Sequence, residues 1–422
     1  MKMDKKILVI KGGTLIDGSG NPPIKNAIVV IEGSMIVEAG GAEETQIPRT
    51  AEVLEAADKT LIPGMIDAHV HLASVVGVDP DAATAILRSP PALLVLHAAK
   101  HAREMLEAGF TTVRDVGGEM IHSEIFSLKK AIELGLTPGP RIMAAGWVGM
   151  TAGHGDIMYN WEPTWPRKPN DPFCADGVWE IRKRIREFAR EGADLIKTAS
   201  SGESPYTSRE YTKEELQALV NEAHALGMKV ACHSTHAFGT KHAIEAGVDT
   251  IEHGYRLDEE AIQMMIRSDV ILVPTLSLTR PGRSLVVGRK PREKERERAE
   301  KRNLENFRKA YQAGVKIAMG TDTFRILRDF WGQNAYELEM MVRGGMSEME
   351  AVIATTRTGS AALGLENQIG TIEKGKLADI VVVDGNPLDD IRILQDRNKI
   401  QYVIKNGNIV VDRVNKGGEV LL

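Results

Sequence analysis

The sequence predicts an α/β protein in which a (β/α)8 TIM-like barrel is inserted into a small antiparallel β-sandwich domain built from both chain ends. The middle of the chain alternates short apolar runs, typical of buried parallel strands, with longer helical patterns. Both chain ends are instead rich in short β-type runs broken by glycine, proline and asparagine. These two observations favour a barrel in the middle and a separate β domain around it.

The two chain ends form the predicted sandwich. Residues 1–62 contain segments such as KILVIKGGTLID, and residues 366–422 contain IQYVIKNGNIVVD. In the second segment Asn-Gly lies between two apolar runs, which is a strong hairpin signal. The 422 residues leave room for a barrel of about 250 residues beside this domain. We therefore expect the barrel over residues 63–365.

The barrel strands are identified by eight short apolar runs, most of them separated by helical patterns. Before the fifth run, Thr212 is placed to cap a helix and Gly227 to end it. The strands are predicted at 64–70, 110–116, 141–147, 193–199, 228–234, 248–254, 270–276 and 315–322. Because active sites of such barrels lie at the C-terminal ends of the strands, the residues there are the candidates for chemistry.

Composition narrows the class of protein. The chain has 53 Lys and Arg against 58 Asp and Glu, a net charge of −5, which argues against a nucleic-acid partner. Two cysteines, Cys174 and Cys232, do not suggest a disulfide scaffold, so we expect a cytoplasmic protein. No apolar run reaches the ~18 residues of a membrane span, and the N-terminus shows no signal peptide. We expect an enzyme with a small-molecule substrate and no membrane partner.

Ligand-type residues end five of the eight predicted strands. His69 and His71 flank a single valine in GMIDAHVHL, so on a strand both imidazoles point to the same face. The later strands contribute Lys197, His233, His253 and Asp322. Each of these has an ordinary structural interpretation when taken alone. Their convergence at one barrel mouth is hard to explain by core packing and predicts a metal site.

These motifs resemble those of the amidohydrolase superfamily, in particular its branch related to imidazolonepropionase that contains prolidase-like and arginine-carboxypeptidase-like enzymes. The resemblance lies in HVH, IKTASSG, CHSTH, IEHG and MGTDT, and it covers essentially the whole chain. In that branch two divalent ions, usually zinc, are bridged by a carboxylated lysine and a hydroxide. The resemblance therefore implies two zinc ions and a CO2-derived carbamate on Lys197.

The resemblance also implies how the ligands are shared. One ion would be held by His69, His71 and Asp322. The other would be held by His233 and His253, with the carboxylated lysine between the two ions. A free lysine ammonium would repel the metals, whereas its carbamate is an anion with two oxygens.

Three residues have predicted catalytic roles. Asp322 is placed to take a proton from the hydroxide and pass it to the leaving amine. His154, in the loop TAGHGD after strand 3, corresponds to a histidine that faces the substrate in the relatives. Tyr211, in SREYTKEEL after strand 4, corresponds to a tyrosine that donates to the substrate carbonyl oxygen.

Five further residues near the mouth have weaker assignments. Arg114 and Asp115, which end strand 2, are interpreted as stabilising the barrel mouth rather than performing chemistry. The segment after strand 7 carries arginines that are open candidates for binding a substrate carboxylate, Arg280, Arg283 and Arg289.

The predicted activity is hydrolysis of an amide bond, of an N-acyl amino acid or dipeptide as in an Xaa-Pro dipeptidase or a carboxypeptidase. The hydroxide that bridges the metals would attack, and we expect a homo-oligomer. An alternative keeps the centre but acts on a neutral aryl amide, urea, carbamate, lactone or phosphotriester. A heterocycle deaminase is disfavoured, because such enzymes usually carry glutamate where this chain has His236. A non-catalytic paralogue would tend to lose ligands, and none is lost here.

Overall fold

A computed structural model of the chain describes residues 6–74, 89–117, 123–154, 174–202, 210–280, 293–323 and 331–415. The described strands are β1 (Ile7–Leu15), β2 (Ile24–Glu32), β3 (Met35–Gly41), β4 (Glu52–Pro63), β5 (Met65–Val70), β6 (Phe110–Asp115), β7 (Arg141–Trp147), β8 (Leu195–Ser201), β9 (Lys229–Ser234), β10 (Thr250–His253), β11 (Ile271–Val273), β12 (Ile380–Val383), β13 (Ile400–Lys405) and β14 (Asn408–Asp412). The strands form two separate sheets of seven.

Helices lie between most of the barrel strands and after the barrel. They are α1 (Pro91–Glu107), α2 (Ser123–Glu133), α3 (Val178–Glu191), α4 (Lys213–Ala225), α5 (Ala237–Ala246), α6 (Glu259–Arg267), α7 (Glu293–Ala313), α8 (Tyr336–Arg343), α9 (Glu348–Thr355) and α10 (Arg357–Leu363). Short 3-10 turns occupy Leu276–Thr279, Ile391–Gln395 and Arg397–Lys399.

The first sheet combines both chain ends, as the sequence predicts. Its strand order is β14-β13-β12-β4-β1-β2-β3. All neighbours are antiparallel except β1 and β4, which run parallel, with Leu8 opposite Glu52. The predicted antiparallel domain built from both chain ends is confirmed, and this parallel pair is its one exception among the described strands. The physical reason is continuity, since β4 ends at Pro63 and must run toward the barrel, where β5 begins at Met65.

Gly64 joins the two sheets, and any larger residue there would require Thr111 to shift. A β-carbon at this position would lie 2.1 Å from Thr111 Oγ1. The sheet made by the chain ends has its own core, which includes Val29, Ile31 and Ile380. The exact domain boundaries, 62/63 and 365/366, stay predictions.

The second sheet is the barrel. Strands β5 to β11 pair in parallel and in chain order. The eighth predicted strand closes the ring through isolated parallel bridges, from Ile317 to Leu272 and from Thr323 to Val70. The predicted TIM-like barrel is confirmed, although 315–322 does not form a regular strand.

Local helix signals agree with the structure. Thr212 caps α4 in a capping box with Glu215, and Gly227 follows the helix end with a φ of 75°. Both Cys174 and Cys232 are buried. Across the described ranges, the chain has no helix long and apolar enough to cross a bilayer.

Candidate metal centre

The C-terminal ends of the barrel strands bring the predicted ligands together. His69 Nε2 lies 3.6 Å and His71 Nε2 3.2 Å from Asp322 Oδ1. Ligand atoms of His69, His253 and Asp322 all lie within 4.8 Å of one another. The ring of His233 packs against that of His253, with centroids 4.5 Å apart. Residues from four separated segments therefore converge on one small volume.

The backbone at two of these positions is unusual. His253 has a φ of 75° and Asp322 a φ of 51°, both in the left-handed region that favours glycine. Such strained residues persist only where the surroundings hold them, and they cluster at functional sites. The neighbouring Glu252 is fully buried and contacts His69.

The donor set fits a divalent metal ion. Burial lowers the pKa of His69 and His233 well below its usual range, and that of His253 to about 3, so all three imidazoles are neutral. Burial alone would raise the pKa of Asp322, but the imidazoles of His69 and His71 hold it well below its usual range. Neutral imidazole and ionised carboxylate are the protonation states that bind metal.

His233 gives a further sign of a missing partner. Its Nε2 atom is buried and has no hydrogen-bond partner among the described residues. Buried polar atoms are almost always paired, because an unpaired one costs free energy. A metal ion would satisfy this nitrogen.

Lys197 lies on β8 beside the imidazoles, and its side chain is 1% exposed. Within the described ranges its ammonium makes no hydrogen bond or ion pair, and Nζ lies 5.6 Å from the centroid of the Trp147 ring. Burial lowers its pKa to about 8. The charge of Lys197 contributes to the low pKa of His233 and His253, which shows that it faces the same cluster.

Sequence reasoning missed Glu252 and gave Arg114 a role only at the mouth. Glu252 Oε2 lies 2.6 Å from His69 Nδ1, and Arg114 Nη2 donates to Glu252 Oε1 at 2.6 Å. Asp115 accepts hydrogen bonds from the backbone N–H groups of Leu72 and Gly117, and so links the segments that follow β5 and β6. The sequence signal that could have identified this pair is the presence of charged residues, Arg114 and Glu252, within otherwise apolar strands.

The predicted substrate residues have different surroundings. The His154 ring stacks on His233 with centroids 3.7 Å apart, and its backbone N–H donates to both carboxylate oxygens of Glu210. Tyr211 is buried in the core, and its hydroxyl donates to the carbonyl of Ala175 at 2.8 Å. The oxyanion role of Tyr211 stays a prediction.

The arginines after strand 7 are only partly described. Arg280 donates to Gln333 Oε1 at 2.8 Å, and its guanidinium lies 4.5 Å from the centroid of the Tyr336 ring. Arg283 and Arg289 lie outside the described residues.

A parallel barrel with buried imidazoles and a carboxylate at its strand ends defines a class of metal-assisted hydrolases. Within it, this chain belongs to the amidohydrolase family, whose model matches residues 60–410. The predicted resemblance is confirmed. The chain is a hydrolytic enzyme that acts on C–N bonds.

Two curated proteins and one solved structure show the similarity. Ochratoxinase of Aspergillus niger is 31% identical over 440 residues, covering 96% of this chain and 87% of that protein. Imidazolonepropionase of Alkaliphilus oremlandii is 23% identical over 426 residues, covering 93% and 92%. The crystal structure of a Xaa-Pro dipeptidase with bound methionine in the active site is 31% identical, with a TM-score of 0.83, covering 96% and 99%.

Proposed function

We propose that the chain is a binuclear metal-dependent hydrolase that cleaves the amide bond of an N-acyl amino acid or dipeptide. The observation that supports this best is the buried cluster of neutral imidazoles and one ionised carboxylate, in which His233 Nε2 has no hydrogen-bond partner within the described part of the chain. The finer assignments are inferred from the sequence motifs and fit this cluster.

In this proposal His69, His71 and Asp322 hold one ion, and His233 and His253 hold the other. When bound, two divalent ions, most simply zinc, lower the pKa of water toward neutrality and polarise the scissile carbonyl. In two of the proposed ligand imidazoles, Nδ1 makes a hydrogen-bonding contact with another group of the protein. His71 Nδ1 contacts the Gly117 carbonyl, and His253 Nδ1 contacts Thr275 Oγ1 at 2.7 Å. Such contacts fix the ring orientation.

Lys197 is proposed to be carboxylated. A buried ammonium without a partner is costly, and beside two cations it would cost more. The carbamate would reverse this charge and give the site a bridging anion. Burial favours this chemistry, because the lowered pKa of about 8 leaves more of the neutral amine that reacts with CO2.

Asp322 is proposed to move the proton. Its low pKa keeps the carboxylate ionised at neutral pH, so it can accept a proton from the attacking water. It would then give the same proton to the nitrogen of the leaving amine. The left-handed backbone at Asp322 and its N–H, which donates to the His69 carbonyl at 2.7 Å, hold the side chain in place.

The substrate is proposed to carry a carboxylate next to the scissile amide. The solved Xaa-Pro dipeptidase contains methionine, a free amino acid, in its active site. In this chain His154 lies against the candidate ligand His233 and is the proposed partner of that carboxylate. Binding of the substrate carboxylate would hold the scissile carbonyl carbon next to the attacking water. Positioning of this kind lowers the activation barrier by up to ~7–11 kcal/mol in model systems.

The test compares an N-acyl amino acid with its C-terminal amide, in wild type and in His154→Ala. We expect the acid to be hydrolysed at least tenfold better by wild type, and KM for the acid to rise more than kcat falls in the variant. His224→Ala is the control, because His224 is exposed and pairs with Asp249 on the surface. If wild type hydrolyses both compounds equally well, the proposal that the substrate needs a carboxylate is contradicted, and a neutral substrate is favoured.

Metal content tests the centre itself. Elemental analysis of metal-replete enzyme should give close to two divalent ions per chain, and chelation should abolish activity that zinc restores. Saturation at one ion, with full activity, contradicts the binuclear proposal.

A further inference from the structure

We propose that Glu252 is a positioning residue that fixes the orientation and tautomer of His69, and thereby sets the affinity for one metal ion. This inference rests on the proposed function, because it takes His69 as a ligand. Glu252 lies in the IEHG segment that carries the resemblance, but no role was predicted for it and the predicted site does not include it.

The contact itself is direct and fully buried. Glu252 Oε2 lies 2.6 Å from His69 Nδ1, and the two residues are 0% and 1% exposed. A carboxylate accepts only, so Nδ1 carries the hydrogen and Nε2 keeps its lone pair. That Nε2 faces Asp322 Oδ1 at 3.6 Å, on the side where the ligands converge.

Glu252 is held in this position by donors on its other oxygen. Oε1 accepts from Arg114 Nη2 at 2.6 Å and from Thr250 Oγ1 at 2.5 Å. Arg114 in turn donates from Nη1 to Thr250 Oγ1 at 3.0 Å and from Nε to the carbonyl of Ala68. These contacts join β5, β6 and β10 across the barrel, so the carboxylate cannot move away from the imidazole.

The arrangement explains why an ion pair lies inside the barrel. A buried ion pair is costly to desolvate and is poor support for stability by itself. Here the guanidinium supplies the charge that keeps Glu252 an acceptor, and Glu252 orients a ligand. Loss of such a partner typically weakens metal binding 10–100-fold.

Glu252→Gln is the sharpest variant, because it keeps the size and changes one oxygen to NH2. In wild type, both carboxylate oxygens of Glu252 accept hydrogen bonds. The NH2 group of the glutamine must therefore face a hydrogen-bond donor in either orientation of the amide. If it faces His69, it favours a hydrogen on Nε2, which blocks that nitrogen as a ligand. If it faces Arg114, the guanidinium loses its acceptor.

Glu337→Gln is the matched control. Glu337 is also 0% exposed, and its carboxylate accepts from the backbone N–H groups of Leu276 and Ser277 at 2.7 and 2.6 Å. It contacts no candidate ligand within the described residues. A purely structural role of a buried glutamate should therefore affect both variants alike.

The experiment measures zinc affinity of chelator-stripped protein by competition with a chromophoric chelator, together with the thermal midpoint in chelator. We expect Glu252→Gln to bind one of its ions roughly 10–100-fold more weakly than wild type. Glu337→Gln should keep its affinity within about twofold, even where its thermal midpoint falls.

The possible failures are distinguishable. Wild type that binds no zinc refutes the proposed function, and with it the premise of this inference. Wild type that binds two ions, with Glu252→Gln equally tight, overturns the inference alone. If Glu252→Gln does not fold, Thr250→Val replaces it, because it keeps Glu252 and removes one donor. That variant should show a smaller loss of affinity, and unchanged affinity again overturns the inference.

Discussion

Replacing Lys197 by methionine should change the stability of the protein in opposite directions without and with metal. Methionine matches the buried stem of lysine in size but carries no charge. In metal-free protein without CO2, the variant removes a buried ammonium that has no partner in the described part of the chain. In loaded protein, it removes the proposed bridging anion.

The size of the first effect follows from the pKa of Lys197. Burial lowers it from an ordinary 10.5 to about 8, and the difference corresponds to about 3 kcal/mol. Because the pKa is lower in the folded than in the unfolded state, the unfolded chain binds more protons between these two values. Stability therefore rises with pH from about 8 to 10.5, and below pH 8 the full cost of burial applies.

At pH 7 we thus expect Lys197→Met to raise the free energy of unfolding of stripped protein by up to about 3 kcal/mol. With zinc and bicarbonate, wild type gains stability according to how far the ion concentration exceeds its dissociation constant. The variant should gain much less. The advantage of Lys197→Met over wild type in free energy of unfolding should therefore shrink or reverse when zinc and bicarbonate are added.

Urea unfolding at pH 7 measures both states, one in chelator with CO2 removed and one with zinc and bicarbonate. Lys405→Met is the control, because burial also lowers the pKa of Lys405 to about 8, whereas it donates to the carbonyl of Gly139 at 2.6 Å. Its effect should not depend on metal. Clear destabilisation of the stripped protein by Lys197→Met, or an identical change in both states, refutes the reasoning.

Three further predictions concern catalysis. In metal-replete, folded protein, Asp322→Asn should lower kcat by roughly 10²–10⁴, since an amide cannot shuttle a proton; a near-normal kcat would exclude Asp322 from proton transfer. Glu210→Gln should raise KM more than it lowers kcat, because Glu210 accepts from the His154 backbone N–H, while Glu222→Gln, in an ion pair with Arg186 between helices α3 and α4, should not. Tyr211→Phe should lower kcat at least tenfold if the predicted oxyanion role is right; a loss of ~1 kcal/mol in stability alone assigns the hydroxyl to Ala175.

Much of the fold and of the ligand cluster could be predicted because both follow from local periodicity. A strand that ends in His69 and His71 points both imidazoles the same way, and parallel strands in a barrel end at one rim. The capping box at Thr212 is likewise local. The parallel pairing of β1 with β4 is not local, since it depends on how the chain enters the barrel.

Glu252 shows where sequence reasoning stops. Strict alternation puts Glu252 and His253 on opposite faces of β10, so only one of them should belong to the site. The φ of 75° at His253 breaks that alternation, and both contribute to the cluster. No single-residue signal marks this conformation, because histidine seldom adopts it and the surrounding barrel imposes it.

Charge balance connects the proposed centre with its substrate. Arg114 and Glu252 form a buried pair of opposite charge that cancels. In the proposed centre, Asp322 and the carbamate of Lys197 would therefore be the two anions that face the metals. Two divalent ions opposite two monoanions and neutral imidazoles leave an excess of positive charge in a buried site. Because an uncompensated buried charge is costly, an anionic group of the substrate would be bound favourably. The preference for a carboxylate should accordingly weaken as salt concentration rises, whereas hydrolysis of a neutral amide should respond little.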